Sequence, residues 1–152
     1  MFYRGVVWLI ITRETDYAIR ILRALEGKDV SSIREISDTE YIPLQFAYKI
    51  AKKLDHAGCI EIIRGPHGGC RLVKDLHAVT LFEIIQITDR ENMVTSCMNE
   101  DFYCMYREVN EGCIMHTSLC QVQSHITKYL KTLTIHDLIF LKKGRKRKKI
   151  TV

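Results

Sequence analysis

Four cysteines, Cys97, Cys104, Cys113 and Cys120, follow one another with six, eight and six residues between them, in a chain of 152 residues that holds six cysteines. None of these gaps is the C-x-x-C knuckle of most structural zinc sites. Several thiols gathered in one segment point to metal or cluster ligation, because deprotonated sulfur is a strong, soft ligand and a loop can wrap a cluster. Loss or oxidation of such a group would reorganise the loop, a physical route to a switch. The ordinary fate of a free cysteine is that of a small buried hydrophobe. That reading suits Cys59 and Cys70, which lie in the strands of an expected hairpin, and it is evenly balanced for Cys120. It suits Cys97, Cys104 and Cys113 less well, since residues 89–112 have no apolar periodicity and little core to join. A zinc site or a thiol redox switch is the alternative use of these sulfurs. A cysteine-based enzyme has least support: there are no paired carboxylates, no glycine-rich phosphate loop and no strand–loop–helix setting for a nucleophile.

A cytoplasmic setting, where thiols stay reduced, is expected from the apolar patterning of the chain. The apolar run Val6-Val7-Trp8-Leu9-Ile10-Ile11 is too short to span a bilayer, so no membrane partner is expected. Thr12-Arg13-Glu14 follows it at once with no small-residue cleavage site, unlike a secretory leader. The formal net charge of +5 is unevenly spread. Residues 1–75 carry +2, residues 76–141 carry −4, and residues 142–152 carry +7. The tail Lys142 to Lys149 therefore sets the basicity. It reads as a disordered, solvated end that is equally able to touch DNA phosphates. Net charge alone is a weak nucleic-acid signal, so that reading has to come from the architecture of residues 12–75.

Thr12 is a suitable N-cap for a helix carrying Tyr17, Ala18, Ile21, Leu22 and Leu25 at helical spacing, with Gly27 as its stop. Ser32-Ile33-Arg34-Glu35 reads as a capping box opening a short second helix. Pro43 suits the first turn of a third helix, whose stripe is Phe46, Ala47, Ile50 and Leu54. Its other faces carry Gln45, Tyr48, Lys49, Lys52 and Lys53, and Gly58 ends it. The β-branched run 59–63, the glycine-rich turn 64–69 and the return 70–73 read as a hairpin. Helix, short helix, basic helix and hairpin in that order describe a winged helix-turn-helix, within a mainly α chain with a small β-hairpin wing. The third helix would enter the major groove of double-stranded DNA with Gln45, Tyr48, Lys49 and Lys52 outward. Arg64 and His67 at the hairpin tip would reach the backbone or minor groove.

Thr80-Leu81-Phe82-Glu83 is a second capping box. From His116 a long helix is expected, with Leu119, Val122, Ile126, Tyr129 and Leu133 as a heptad-like seam that Leu130 broadens. Such a seam beside one DNA-reading unit suits a homodimer on a palindromic operator. Thr134-Ile135-His136-Asp137 caps a last short helix. The expected divisions are a winged helix-turn-helix over 9–88, a cysteine-bearing cluster loop over 89–113, a dimerisation helix with its closing turn over 114–141, and a basic tail over 142–152.

Ile11-Thr12-Arg13-Glu14-Thr15-Asp16-Tyr17-Ala18-Ile19-Arg20 resembles the opening helix of the IscR/NsrR family of winged-helix transcription regulators. Ile42-Pro43 resembles its entry to the third helix, and Arg64-Gly65-Pro66-His67-Gly68-Gly69 its wing tip. Cys113-Ile114-Met115-His116 is similar to the end of its cysteine loop, and Thr134 through Leu138 to its closing turn. The resemblance covers about residues 10–140. It implies a regulator, acting as a repressor, whose DNA affinity is set by an iron–sulfur cluster, 2Fe–2S or 4Fe–4S, that senses redox state, nitric oxide or cluster status. Cys97, Cys104 and Cys113 match the three cluster cysteines. For the fourth ligand the resemblance offers both His116 and Asp16; His116 is favoured because it lies one helical turn from Cys113. The loop spacings are longer than the family's usual gaps, and Cys120 is an additional sulfur and a further alternative ligand. Residues 1–8 and the basic tail lie outside the pattern, as an upstream start codon would leave Phe2 to Trp8.

Overall fold

The computed structural model describes residues 11–65, 68–89, 94–99, 101–110 and 112–140. Three helices come first: α1 (Arg13–Leu25), α2 (Ile33–Glu40) and α3 (Leu44–His56). A hairpin follows, β1 (Ile60–Ile63) and β2 (Gly69–Leu72), and then α4 (Leu81–Thr88). Beyond a 3-10 turn over Ser96–Met98 come α5 (Met105–Val109), α6 (Ile114–Thr132) and α7 (Ile135–Ile139).

The local chemistry of the chain accounts for most boundaries. The Thr12 hydroxyl accepts the Thr15 N–H at the head of α1, and Gly27 follows the helix at φ +72°, where a side chain would be strained. Ser32 caps α2 by accepting the Glu35 N–H at 3.1 Å. Only this half of the expected capping box forms, because the Glu35 carboxylate instead accepts Lys28 Nζ at 2.9 Å. Thr80 and Glu83 make the full reciprocal box at α4. Pro43 stands at the N-cap of α3, one residue outside the first turn where the sequence puts it; its fixed φ still starts the helix.

One apolar core joins α1, α2, α3, the hairpin, α4 and α7. Its fully buried members include Ile21, Leu22, Leu25, Ile50, Leu54, Ile60, Leu76, Ile84, Ile85 and Ile135. Phe46 departs from the expected stripe. It is exposed and meets Tyr17 edge-on at 6.0 Å between ring centroids, while Ala51 takes the buried place on α3. The hairpin is antiparallel, with Ile60 opposite Leu72 and Ile63 opposite Gly69. Ser31 and Cys70 add a bridge through reciprocal main-chain bonds of 2.9 and 2.8 Å. A Cβ on Gly69 would come within 2.4 Å of the Ser31 carbonyl oxygen, so only glycine admits this approach.

The region read from the sequence as a structureless loop carries two short elements, the 3-10 turn and α5. Neither has a buried residue, which is why no apolar period marks them. The long helix begins at Ile114, two residues before the expected start, with Cys113 as its N-cap. None of the residues of α6 is buried, although Leu130, and Leu133 just beyond it, lean on the core. Its C-terminal end is fixed by main-chain bonds: Leu81 N–H to Leu133 O at 2.8 Å, Ile135 N–H to Val79 O at 2.8 Å, and His136 N–H to Leu76 O at 3.1 Å.

Candidate nucleic-acid interface and thiol cluster

The outer face of α3 presents Gln45, Tyr48, Lys49 and Lys52, all exposed. Tyr48 and Lys52 share a cleft with Ile33, Asp55, His56, Ile62 and Arg64, so α3 and the wing present their polar groups to one side. Arg64 is exposed at the end of β1. His67 lies outside the described residues, as do Pro66, the first ten residues and the basic tail. Gln45 stands apart from the cleft lining, in the first turn of α3.

Lys49 is not a free cation. Its Nζ donates to Glu14 Oε1 at 2.6 Å, and Lys53 Nζ donates to Glu14 Oε2 at 2.7 Å. These two hydrogen bonds, Lys49's foremost, hold the Glu14 carboxyl below its ordinary value of 4.5 against the opposing effect of burial. Glu14 is the polar residue that reading the sequence overlooks: an acid in a first helical turn is already accounted for by the helix dipole. Only the packing of α1 on α3 reveals its second role.

The thiols divide as their chain positions imply. Cys59 and Cys70 are buried in the hairpin region. Burial raises the Cys59 thiol and pushes that of Cys70 up to about 11, which keeps both protonated and unreactive. Cys97, Cys104 and Cys113 are half-buried and Cys120 is exposed. His116 is where three of these four meet. Its Nδ1 lies 3.5 Å from Cys97 Sγ and its Nε2 lies 3.4 Å from Cys120 Sγ. Its backbone N–H donates to Cys113 Sγ, also at 3.5 Å, so Cys113 caps α6 with its sulfur. The Thr95 hydroxyl donates to Cys97 Sγ at 3.6 Å.

Cys104 caps α5 and, among the described residues, makes no side-chain hydrogen bond to the other thiols or to His116. Asp16, the alternative ligand, is paired with Arg20 one turn along α1 at 2.9 Å. Among the described residues no group of three or more His, Cys, Asp or Glu side chains is set to hold a metal ion as it stands. The donor chemistry nevertheless fits a sulfur-bound group: thiols with one imidazole, outside the apolar core, on a segment with few tertiary anchors.

The family model described as an iron-dependent transcriptional regulator, Rrf2, matches residues 11–140. The chain belongs to the Rrf2 family. It is 29% identical over 133 residues to the HTH-type transcriptional regulator NsrR of Shouchella clausii, covering 85% of this chain and 87% of that one. Among solved structures it is similar to CymR, the global cysteine regulator of B. subtilis, at a TM-score of 0.64 and 22% identity, over 88% of this chain and 98% of that one. It also resembles T. potens IscR, at a TM-score of 0.65 and 16% identity, over 93% and 95% of the two chains. These structural likenesses establish the Rrf2 winged-helix fold, mainly helical with one two-stranded wing. Membership of the Rrf2 family makes the chain a DNA-binding transcriptional regulator. No helix among the described residues is long and apolar enough to cross a membrane.

Proposed function

We propose that this Rrf2 regulator is a homodimeric repressor of a palindromic operator, controlled by an iron–sulfur cluster on Cys97, Cys104, Cys113 and His116. The observation that carries this reading is the gathering of Cys97 and Cys113 about His116, with Cys104 at the N-cap of α5. When bound, such a cluster supplies reversible redox chemistry and a target for nitric oxide. The protein's own part is to hold sulfur ligands on short elements that have no buried residue. Gln45, Tyr48, Lys49, Lys52, Arg64 and His67 face the DNA, in the cytoplasm. Residues 9–88 read the operator, residues 114–141 pair two copies, and the basic tail from 142 adds phosphate contacts.

Support for pairing comes from α6. Tyr129 is 65% exposed and Ile114 86% exposed on a helix with no buried residue, an apolar surface that a second copy would cover. A second reading, a zinc site or thiol switch, draws on Cys120. Its sulfur lies on the imidazole nitrogen opposite Cys97, which brings a further thiol beside His116. The test is purification without oxygen, with visible absorption, iron, acid-labile sulfide and zinc measured on the same sample. Iron with matching sulfide supports the cluster. A colourless protein with stoichiometric zinc supports the second reading and leaves DNA binding intact.

A further inference from the structure

Glu14 joins three elements. Its two carboxylate oxygens each hold one lysine of α3, Lys49 and Lys53, which are four residues apart and so share a face. Lys53 is bound a second time, donating to the Thr88 carbonyl at 2.6 Å. Thr88 is the last residue of α4, and its hydroxyl lies 2.8 Å from that of Thr15, the neighbour of Glu14. The cysteine-bearing segment begins at the next position. The exposures are unequal: the Glu14 side chain is 23% exposed, Lys53 32% and Lys49 55%. The acid is the recessed partner, and the lysines are the groups with room to swing outward.

We propose that Glu14 is a positioning residue for DNA binding that withholds Lys49 and Lys53 from phosphates, with the end of α4 setting how firmly Lys53 is held. The inference rests on the DNA-binding face assigned to α3. An ammonium group neutralised by a carboxylate contributes little to a phosphate contact, and a charged carboxylate beside that contact opposes it. Movement at Thr88 alters one of the two bonds of Lys53 and thereby the competition for Glu14.

The experiment uses fluorescence anisotropy with a short duplex of arbitrary sequence over a series of salt concentrations. Four proteins are compared: the unaltered chain, Glu14→Gln, Lys49→Met/Lys53→Met, and the triple variant. Glu14→Gln should bind more tightly at low salt, and its slope of log affinity against log salt should steepen by ~1–2, since each phosphate newly neutralised adds about 0.9. In the Lys49→Met/Lys53→Met background the same change should alter neither quantity. An unchanged slope in Glu14→Gln overturns the inference. So does an equal effect in both backgrounds, which would make Glu14 a distant charge and nothing more. Should Glu14→Gln fold poorly by circular dichroism, Glu14→Asp replaces it; the shorter acid cannot span both lysines, and a slope unchanged there overturns the inference equally. Failure of the unaltered chain to bind duplex at any salt defeats the DNA-binding face of α3 itself, and the inference with it.

Discussion

The hydroxyls of Thr15 and Thr88, residues 73 apart in the chain, meet at 2.8 Å inside the core. Both residues are buried. Thr88 also donates to the Ile84 carbonyl at 2.9 Å, so its hydroxyl keeps a partner when Thr15 is changed. Thr15→Val should therefore cost about 1 kcal/mol. The double change to Thr15→Val/Thr88→Val should cost less than the two single losses together, because neither hydroxyl is then left facing an apolar neighbour. Urea unfolding of the four proteins checks this, and strict additivity would separate the two residues energetically.

Acid should weaken the junction of α1 and α3. The Glu14 carboxyl is held below 4.5 in the folded chain, chiefly by the Lys49 hydrogen bond. A folded value below the unfolded one means the stabilisation is complete above pH 4.5 and fades as pH falls through the folded value. Stability measured between pH 6 and pH 3 should drop less steeply in Glu14→Gln than in the unaltered chain. Parallel curves would remove Glu14 from the acid response.

Replacement of Cys97, Cys104 or Cys113 by Ala should bleach the anaerobic protein, whereas Cys59→Ala and Cys70→Ala should not. The buried pair lies in the hairpin region, with thiols raised by burial. His116→Ala should give a changed spectrum or a more labile chromophore, since nitrogen is a harder ligand than sulfur. Loss of colour from Cys70→Ala at unchanged folding would contradict this division of the thiols.

Ile126→Asp should separate the copies. It sets an unpaired charge into the seam proposed to pair them, Leu119, Val122, Ile126 and Tyr129 of α6, with Leu133 beyond it leaning on the chain's own core. Sedimentation should report a dimer for the unaltered chain at micromolar concentration and a folded monomer for the variant. A folded monomer in both cases would leave α6 without its partner.

On the recognition helix, Lys52→Ala should flatten the salt slope by ~1, while Gln45→Ala should cost ~1–3 kcal/mol at the operator and relax its sequence preference. Competition binding against scrambled operator distinguishes the two effects. Unaltered affinity and slope in both variants would turn the reading face of α3 elsewhere.

Much of the fold is legible in the sequence. Caps at Thr12, Thr80 and Thr134 mark helices because hydroxyl-to-amide bonds act within a few residues, and all three form. The hairpin announced itself through β-branched residues flanking a glycine-rich turn. Cys59 and Cys70 are buried, as their place in the hairpin implies, whereas the contact of His116 with Cys97 joins residues 19 apart that no spacing rule pairs. What escaped depends on contacts remote in sequence. Phe46 fits the helical stripe but meets Tyr17 at the surface. Lys49 reads as free to face DNA, and Lys53 as lying on an outer face, because Glu14, 35 and 39 residues away, cannot be paired with them by spacing. Cys104 stands apart because α5, an element without a buried residue, has no pattern to be read.

The main-chain bonds at Leu133, Ile135 and His136 give α6 the mechanics of a lever. They fix one end to the winged unit, while among the described residues the rest of the helix is steadied through side chains, such as Gln123 accepting the Val94 N–H at 2.8 Å. Nineteen residues make an arm of about 28 Å. A tilt of roughly five degrees about the fixed end carries Cys113 through about 2.5 Å at the far end. That travel is comparable to a metal–sulfur bond of about 2.3 Å. A rotation of that size would move Cys113 by about the length of the bond that the proposed cluster would make to it.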